Sequence, residues 1–179
     1  VELKGIYYFS GWDDDPGVDD SGKAWKAILD VDQDLLKFTS LWLEYGQIDN
    51  NVREGVMGAI GHRDADFYRG SMPGWSGITP QDPEFFPGRD DGTTKVFIVN
   101  TQQKWNDKWS TYLRYAHWDF DAPAGALIGD KADEWTVGAK YQYTDALSFE
   151  LSYDNVSWDD VAGAEDSDHL IRFRTFVAF

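Results

Sequence analysis

The sequence predicts an all-β fold, an antiparallel transmembrane β-barrel to which these 179 residues contribute eight strands. Three observations carry that prediction. Hydrophobicity alternates at period two in segments of roughly ten residues, so each segment has one apolar and one polar wall. Aromatic residues make up 16% of the chain, with nine Trp, nine Tyr and eleven Phe, although the mean hydropathy is −0.52. Short and long connections alternate strictly. A polar average with many rings fits a greasy outer wall, a wet interior and ringed membrane interfaces.

The strands follow in chain order. Val1 to Trp12 sets Leu3, Gly5, Tyr7 and Phe9 against Glu2, Lys4, Ile6, Tyr8 and Ser10. Lys23 to Val31 sets Trp25, Ala27, Leu29 and Val31 against Lys26, Ile28 and Asp30. Leu35 to Ile48 and Thr94 to Trp105 read as strands from their β-branched and aromatic content, without a clear choice of face. Trp109 to Trp118 sets Thr111, Leu113 and Tyr115 against Ser110, Tyr112, Arg114 and Ala116. Trp135 to Tyr143 is the plainest, with Trp135, Val137, Ala139, Tyr141 and Tyr143 opposite Thr136, Gly138, Lys140 and Gln142. Leu147 to Asp154 sets Leu147, Phe149, Leu151 and Tyr153 against Ser148, Glu150, Ser152 and Asp154, and Ile171 to Phe179 closes the chain. Helical periodicity is poor, a turn or two in 50–62 excepted.

Tight turns are expected at Asp32-Gln33-Asp34, Asn106-Asp107-Lys108 and Thr144-Asp145-Ala146. Long loops are expected near 13–22, 49–93, 119–134 and 159–168. All tight turns then lie at one end and all long loops at the other, the arrangement of outer-membrane barrels with short periplasmic turns and long outside loops. Trp12, Trp25, Trp105, Trp109, Trp118, Trp135 and Trp158 stand near strand ends, where aromatic belts belong.

Composition excludes several classes. With 16 basic against 32 acidic residues the net charge is −16, which disfavours a nucleic-acid groove because phosphate is repelled. The absence of Cys removes disulfides and cysteine-ligated zinc. No run of about 18 to 20 apolar residues exists, so no helix spans a bilayer. Val1 leads straight into patterned sequence, so the numbering is expected to begin after any export signal. The long loops hold 23 of the 32 acids and only five basic residues, Arg53, Arg63, Arg69, Arg89 and Lys131. Such loops are either simply solvated or form a negative vestibule at a pore mouth.

The terminal Phe179 on an alternating last strand resembles the assembly signal of bacterial outer-membrane proteins. The segments Phe38 to Asn50 (FTSLWLEYGQIDN) and Tyr112 to Trp118 (YLRYAHW) are similar to strands of outer-membrane porins that carry an S-layer-homology domain. The resemblance covers most of the eight strands as a pattern. It implies a barrel of about sixteen strands, a homotrimer, and a wall-binding domain outside this chain. On that resemblance, residues 1–179 are expected to be the C-terminal half, completed by the rest of the barrel or a companion chain. The alternative is that the eight strands close alone, as a self-contained barrel with a structural or surface-interaction role.

The charged residues on the polar faces must meet water or each other. Glu2, Lys4, Lys26, Asp30, Arg114, Lys140, Glu150, Asp154, Arg172 and Arg174 are therefore the candidate lumen residues. They line a channel if the barrel is wide, or a salt-bridged plug if eight strands close alone. The connection 49–93 holds four of the six prolines. It is a candidate constriction loop, with Arg53, Glu54, Arg63, Asp64, Asp66, Arg69 and Glu84 able to reach the lumen, or else a surface lid or trimer contact. Asp13, Asp15 and Asp19, with Asp14 and Asp20, are a Ca²⁺ candidate that lacks EF-hand spacing. His62, His117 and His169 have no metal-binding spacing, and no GxSxG, P-loop or GxGxxG is present. No catalytic residue is assigned, although an outer-membrane enzyme with a Ser/His/Asp site would leave no motif. A soluble sugar-binding β-sandwich is the rival for the aromatic content. The function expected is passive diffusion of small hydrophilic solutes and ions through a channel surrounded by outer-membrane lipid.

Overall fold

The computed structural model describes residues 1–10, 22–49, 93–120, 131–158 and 167–179. They form one eight-stranded antiparallel meander: β1 (Glu2–Ser10), β2 (Gly22–Val31), β3 (Ser40–Asp49), β4 (Thr93–Lys104), β5 (Trp109–Phe120), β6 (Lys131–Thr144), β7 (Leu147–Trp158) and β8 (Ser167–Val177). Each strand pairs with its sequence neighbours in the order β1 to β8, and β1 and β8 do not pair with each other. A sheet with one face apolar and the other charged is what period-two alternation dictates.

The tight ends are built by local polar chemistry. Between β2 and β3 the chain forms a single helical turn, α1 (Gln33–Leu36), closed by Lys37 at φ 70°. The expected strand start at Leu35 is thus corrected: an Asp32-Gln33-Asp34 run favours a turn, and β3 begins at Ser40. The Gln33 side chain donates to Lys104 O at 3.0 Å and accepts from Lys104 N at 2.8 Å, tying this turn to the next. There the Asn106 carboxamide oxygen accepts from the backbone of Lys108 and Trp109, each at 2.9 Å. The β6–β7 pair shifts register between Gln142 and Thr144, a bulge beside its tight turn.

A second correction concerns 119–134, expected as a loop. β5 runs to Phe120 and β6 starts at Lys131, so Asp133 and Glu134 belong to a strand. The loop expected over 13–22 and those over 49–93 and 159–168 fall almost wholly outside the described residues.

One face of the sheet carries an apolar band. It runs from Trp25 to Val31 on β2, from Tyr115 to Trp109 on β5 and from Tyr153 to Leu147 on β7, reading every second residue. Val137, Leu151, Phe173 and Val177 of this face are 52%, 54%, 67% and 54% exposed, as bilayer contact requires. Rings mark the edges, Trp25 with Tyr45 at 5.6 Å, Tyr115 with Trp135 at 4.4 Å and Trp109 with Tyr141 at 4.6 Å.

The band is not perpendicular to the strands. Tyr153 on β7 lies opposite Val137, then Leu113, Thr101, Leu41 and finally Val31 on β2. Val31 stands six residues after Trp25, the residue that tops the band on β2. The band therefore drifts six residues over five strands. At about 3.4 Å per residue and about 4.8 Å between strands, that drift corresponds to a strand tilt of about 40°, within the range of closed barrels.

Candidate functional site: the charged wall

The opposite face is built from the alternate residues. Lys26, Glu44, Arg114, Glu134, Glu150 and Asp154 on it are buried, together with Ala24, Ile28, Val96, Ile98 and Ala116. All the lumen candidates from the sequence share this face, because each stands an even number of residues from its neighbours and the registers keep that parity across strands. A buried charge needs a partner and further hydrogen bonds, and the wall supplies each of the six buried ones with a partner of opposite charge.

Near the tight-turn end, Glu150 collects three groups. Arg174 and Lys140 bind its two carboxylate oxygens, Lys140 at 3.3 Å, and the Tyr112 hydroxyl donates to it at 3.0 Å. Tyr112 lies flat against the wall over Gly138, its register partner, where an added Cβ would collide with the ring. Lys140 sits 5.3 Å from the centre of the same ring. Alongside, Arg172 donates to Asp154 at 2.8 Å, and Ser152 donates to the same oxygen at 3.3 Å.

Toward β1 a second group forms. Lys26 donates to Glu44 at 3.0 Å, and the Trp42 indole donates to the other oxygen of Glu44 at 2.8 Å. Lys4 bridges Glu2 at 2.6 Å and Asp30 at 3.5 Å, and lies 5.4 Å from the Trp42 ring. Glu44 and Glu134 are the two wall carboxylates that sequence reasoning missed. For Glu134 the signal was present, since it continues the Thr136, Gly138, Lys140 alternation backwards; for Glu44 it was not, since the run Leu41-Trp42-Leu43 leaves the faces of β3 undecided until its register is known.

Most of the buried polar atoms that lack a hydrogen-bond partner lie in the middle of the wall. Asn100, Arg114, Thr136 and Asp154 lie directly opposite one another on β4, β5, β6 and β7. Arg114 donates through Nη1 to Glu134, yet its Nε and Nη2 are buried without a partner. Asn100 Oδ1, Thr136 Oγ1 and Asp154 Oδ1 are likewise buried and unpartnered. Leaving such atoms bare costs roughly 1–3 kcal/mol each.

The remaining sequence candidates divide simply. The constriction-loop residues Arg53, Glu54, Arg63, Asp64, Asp66, Arg69 and Glu84, and the Ca²⁺ candidates Asp13, Asp15 and Asp19, lie outside the described residues. Among the described residues no cluster of His, Asp and Glu could hold a metal ion. His117 meets Asp133 at 2.9 Å, but on the apolar side of the sheet.

The family model of the phosphate-selective porins O and P matches residues 85–179, more than half of the chain. The chain belongs to this family. The antiparallel sheet with its tilted apolar band is thus a porin wall, and the family is one of channels and not of enzymes. No curated protein matches the porin at a significant level.

Proposed function

We propose that this porin forms a water-filled channel in the bacterial outer membrane for passive diffusion of small hydrophilic solutes, with phosphate as the preferred anion. The charged face is the channel wall, lined by Lys4, Lys26, Asp30, Arg114, Lys140, Glu150, Asp154, Arg172 and Arg174. The observation that carries the reading is the division of one sheet into a tilted apolar band and an ion-paired polar face. A soluble sandwich would instead cover that band with a second sheet. The tight turns face the periplasm and the long acidic connections face outside.

Phosphate enters from the printed name of the family, and the middle row supports it. The unpartnered Nε and Nη2 of Arg114 form the guanidinium edge that grips an oxyanion in two-point fashion. Thr136 can donate a third bond. Asn100 Oδ1 and Asp154 Oδ1 can accept only from a solute that carries a proton, which hydrogen phosphate does and sulfate does not.

Among the described residues the outer edges of β1 and β8 are unpaired, which supports a larger barrel of about sixteen strands, because lipid does not tolerate open edges. The assembly is a homotrimer on this reading. The narrower kinship with S-layer-homology porins rests on the strand patterns of 38–50 and 112–118 alone.

The test is a planar-bilayer recording of chloride current through the assembled porin. Added phosphate should depress the current more than added sulfate, and Arg114→Gln should remove the difference. Absence of conductance would refute the channel. Conductance with phosphate and sulfate indistinguishable would leave a diffusion pore and remove the anion preference.

A further inference from the structure

Glu150 places a negative charge at the centre of a basic stretch of the wall. Between the row of Asn100, Arg114, Thr136 and Asp154 and the tight turns, the charged residues on this face of β4 to β8 are Lys104, Lys140, Arg172 and Arg174 against Glu150 alone. The excess is positive, so this stretch favours an anion. Glu150 stands within it, directly between Lys140 on β6 and Arg174 on β8.

Burial and bonding give this carboxylate a purpose other than its charge. The Glu150 side chain is 2% exposed, whereas those of Lys140 and Arg174 are 47% and 35% exposed. Those of Lys26 and Arg114 are 4% exposed. Lys140 and Arg174 can thus meet a solute while bonded to a carboxylate that the solute does not reach. One oxygen of Glu150 accepts from Arg174 and from the Tyr112 hydroxyl, the latter at 3.0 Å, and the other pairs with Lys140 at 3.3 Å. A ring braces each cation a second time. Lys140 Nζ lies 5.3 Å from the centre of the Tyr112 ring, and Arg174 Cζ lies 5.6 Å from that of Phe176. A long cationic side chain gives up rotamer freedom when a ligand fixes it, and here the wall has fixed it in advance.

We infer that Glu150 is a positioning residue for anion passage, holding Lys140 and Arg174 so that one oxyanion bridges them. The inference rests on the anion channel given under Proposed function, and it concerns residues outside the Arg114 row. Both oxygens of Glu150 are occupied, so this place offers the solute donors only. It therefore takes sulfate as readily as hydrogen phosphate, because no proton on the solute is needed. Replacing Glu150 by a neutral residue then has two effects of opposite sign. The lost negative charge draws anions toward the wall. The released cations bind an oxyanion less well, because their geometry must be fixed anew each time.

The experiment measures two quantities on the assembled porin in planar bilayers: the sulfate concentration that half-blocks the chloride current, and the reversal potential in a potassium chloride gradient. Glu150→Gln keeps the shape of the side chain and leaves the wall one charge more positive. Its chloride-over-potassium permeability should rise, while the half-blocking sulfate concentration should increase about tenfold, the equivalent of one charge-assisted hydrogen bond. A carboxylate that acts only as a counter-charge would instead give tighter sulfate block together with the rise in permeability ratio. Sulfate block that tightens or stays the same in Glu150→Gln would therefore overturn the inference. Glu150→Asp keeps the charge and shortens the reach. It should weaken the block with the permeability ratio unchanged, and it serves as the test where the Gln variant does not fold. Lys140→Gln with Arg174→Gln should weaken the block at least as much as Glu150→Gln. Glu150→Gln added to that pair should weaken it no further, because nothing remains to be positioned. Additive effects of the three substitutions would overturn the inference. A native porin that does not conduct refutes the channel itself. A conducting native porin whose sulfate block is indifferent to both Glu150 substitutions refutes the positioning role alone.

Discussion

Leu151→Arg tests which side of the sheet meets lipid. Leu151 is 54% exposed and sits mid-band on β7, between its register partners Ala139 and Phe173. Withdrawing a whole leucine side chain from water is worth about 1.5–3 kcal/mol. With about half of the side chain open to lipid, its loss costs roughly 1 kcal/mol. A guanidinium on the lipid side near the midplane costs about 2–4 kcal/mol more. The variant should therefore fold into vesicles with about 3–5 kcal/mol less stability, a factor above a hundred in the folding equilibrium. The assay is a reversible denaturant titration in phosphatidylcholine vesicles, followed by Trp fluorescence. A loss below about 1 kcal/mol would refute the assignment of this face to the bilayer.

The wall makes predictions of its own. Glu44→Leu strands the buried Lys26 ammonium and should cost about 3–5 kcal/mol in the same titration, whereas Lys26→Met with Glu44→Leu should cost much less. Gly138→Ala drives the Tyr112 ring off the wall and breaks its bond to Glu150, for a loss of about 1–3 kcal/mol and an altered single-channel conductance. Arg172→Gln with Arg174→Gln leaves Asp154 and Glu150 short of positive partners, so the reversal potential in a salt gradient should move toward cation preference. Acidic outer connections should add to cation accumulation at low salt and lose that effect as the Debye length falls from about 10 Å at 0.1 M to about 3 Å at 1 M.

Alternation made most of this fold legible. Period two is a property of the strand itself, so Val137, Leu151 and Phe173 could be separated from Lys140, Glu150 and Arg174 by parity. Parity fails where both faces look alike. Leu43 and Trp42 are both apolar by type, and only the register of β3 against β2 and β4 puts Trp42 inward with Glu44. Strand limits were misplaced where acids sit inside a strand, as Asp133 and Glu134 do, because a carboxylate reads as loop until its partner is known. That partner, Arg114, is 20 residues away in sequence. The row of Asn100, Arg114, Thr136 and Asp154 was invisible for the same reason: alignment across four strands follows from loop lengths and registers, not from local pattern. The porin resemblance reached the right class of protein from strand texture and turn order, and its narrower S-layer-homology form has no support beyond that texture.

The central claim is that the charged face lines open water, and the absence of Cys makes one measurement direct. Gln102→Cys places a thiol on the charged face and Leu151→Cys places one on the band. Each porin is inserted in a planar bilayer and exposed to a charged, membrane-impermeant methanethiosulfonate reagent. Modification of Gln102→Cys should step the single-channel current down, while Leu151→Cys should stay unmodified and unaffected. Block at Leu151→Cys with none at Gln102→Cys would contradict the assignment of the two faces.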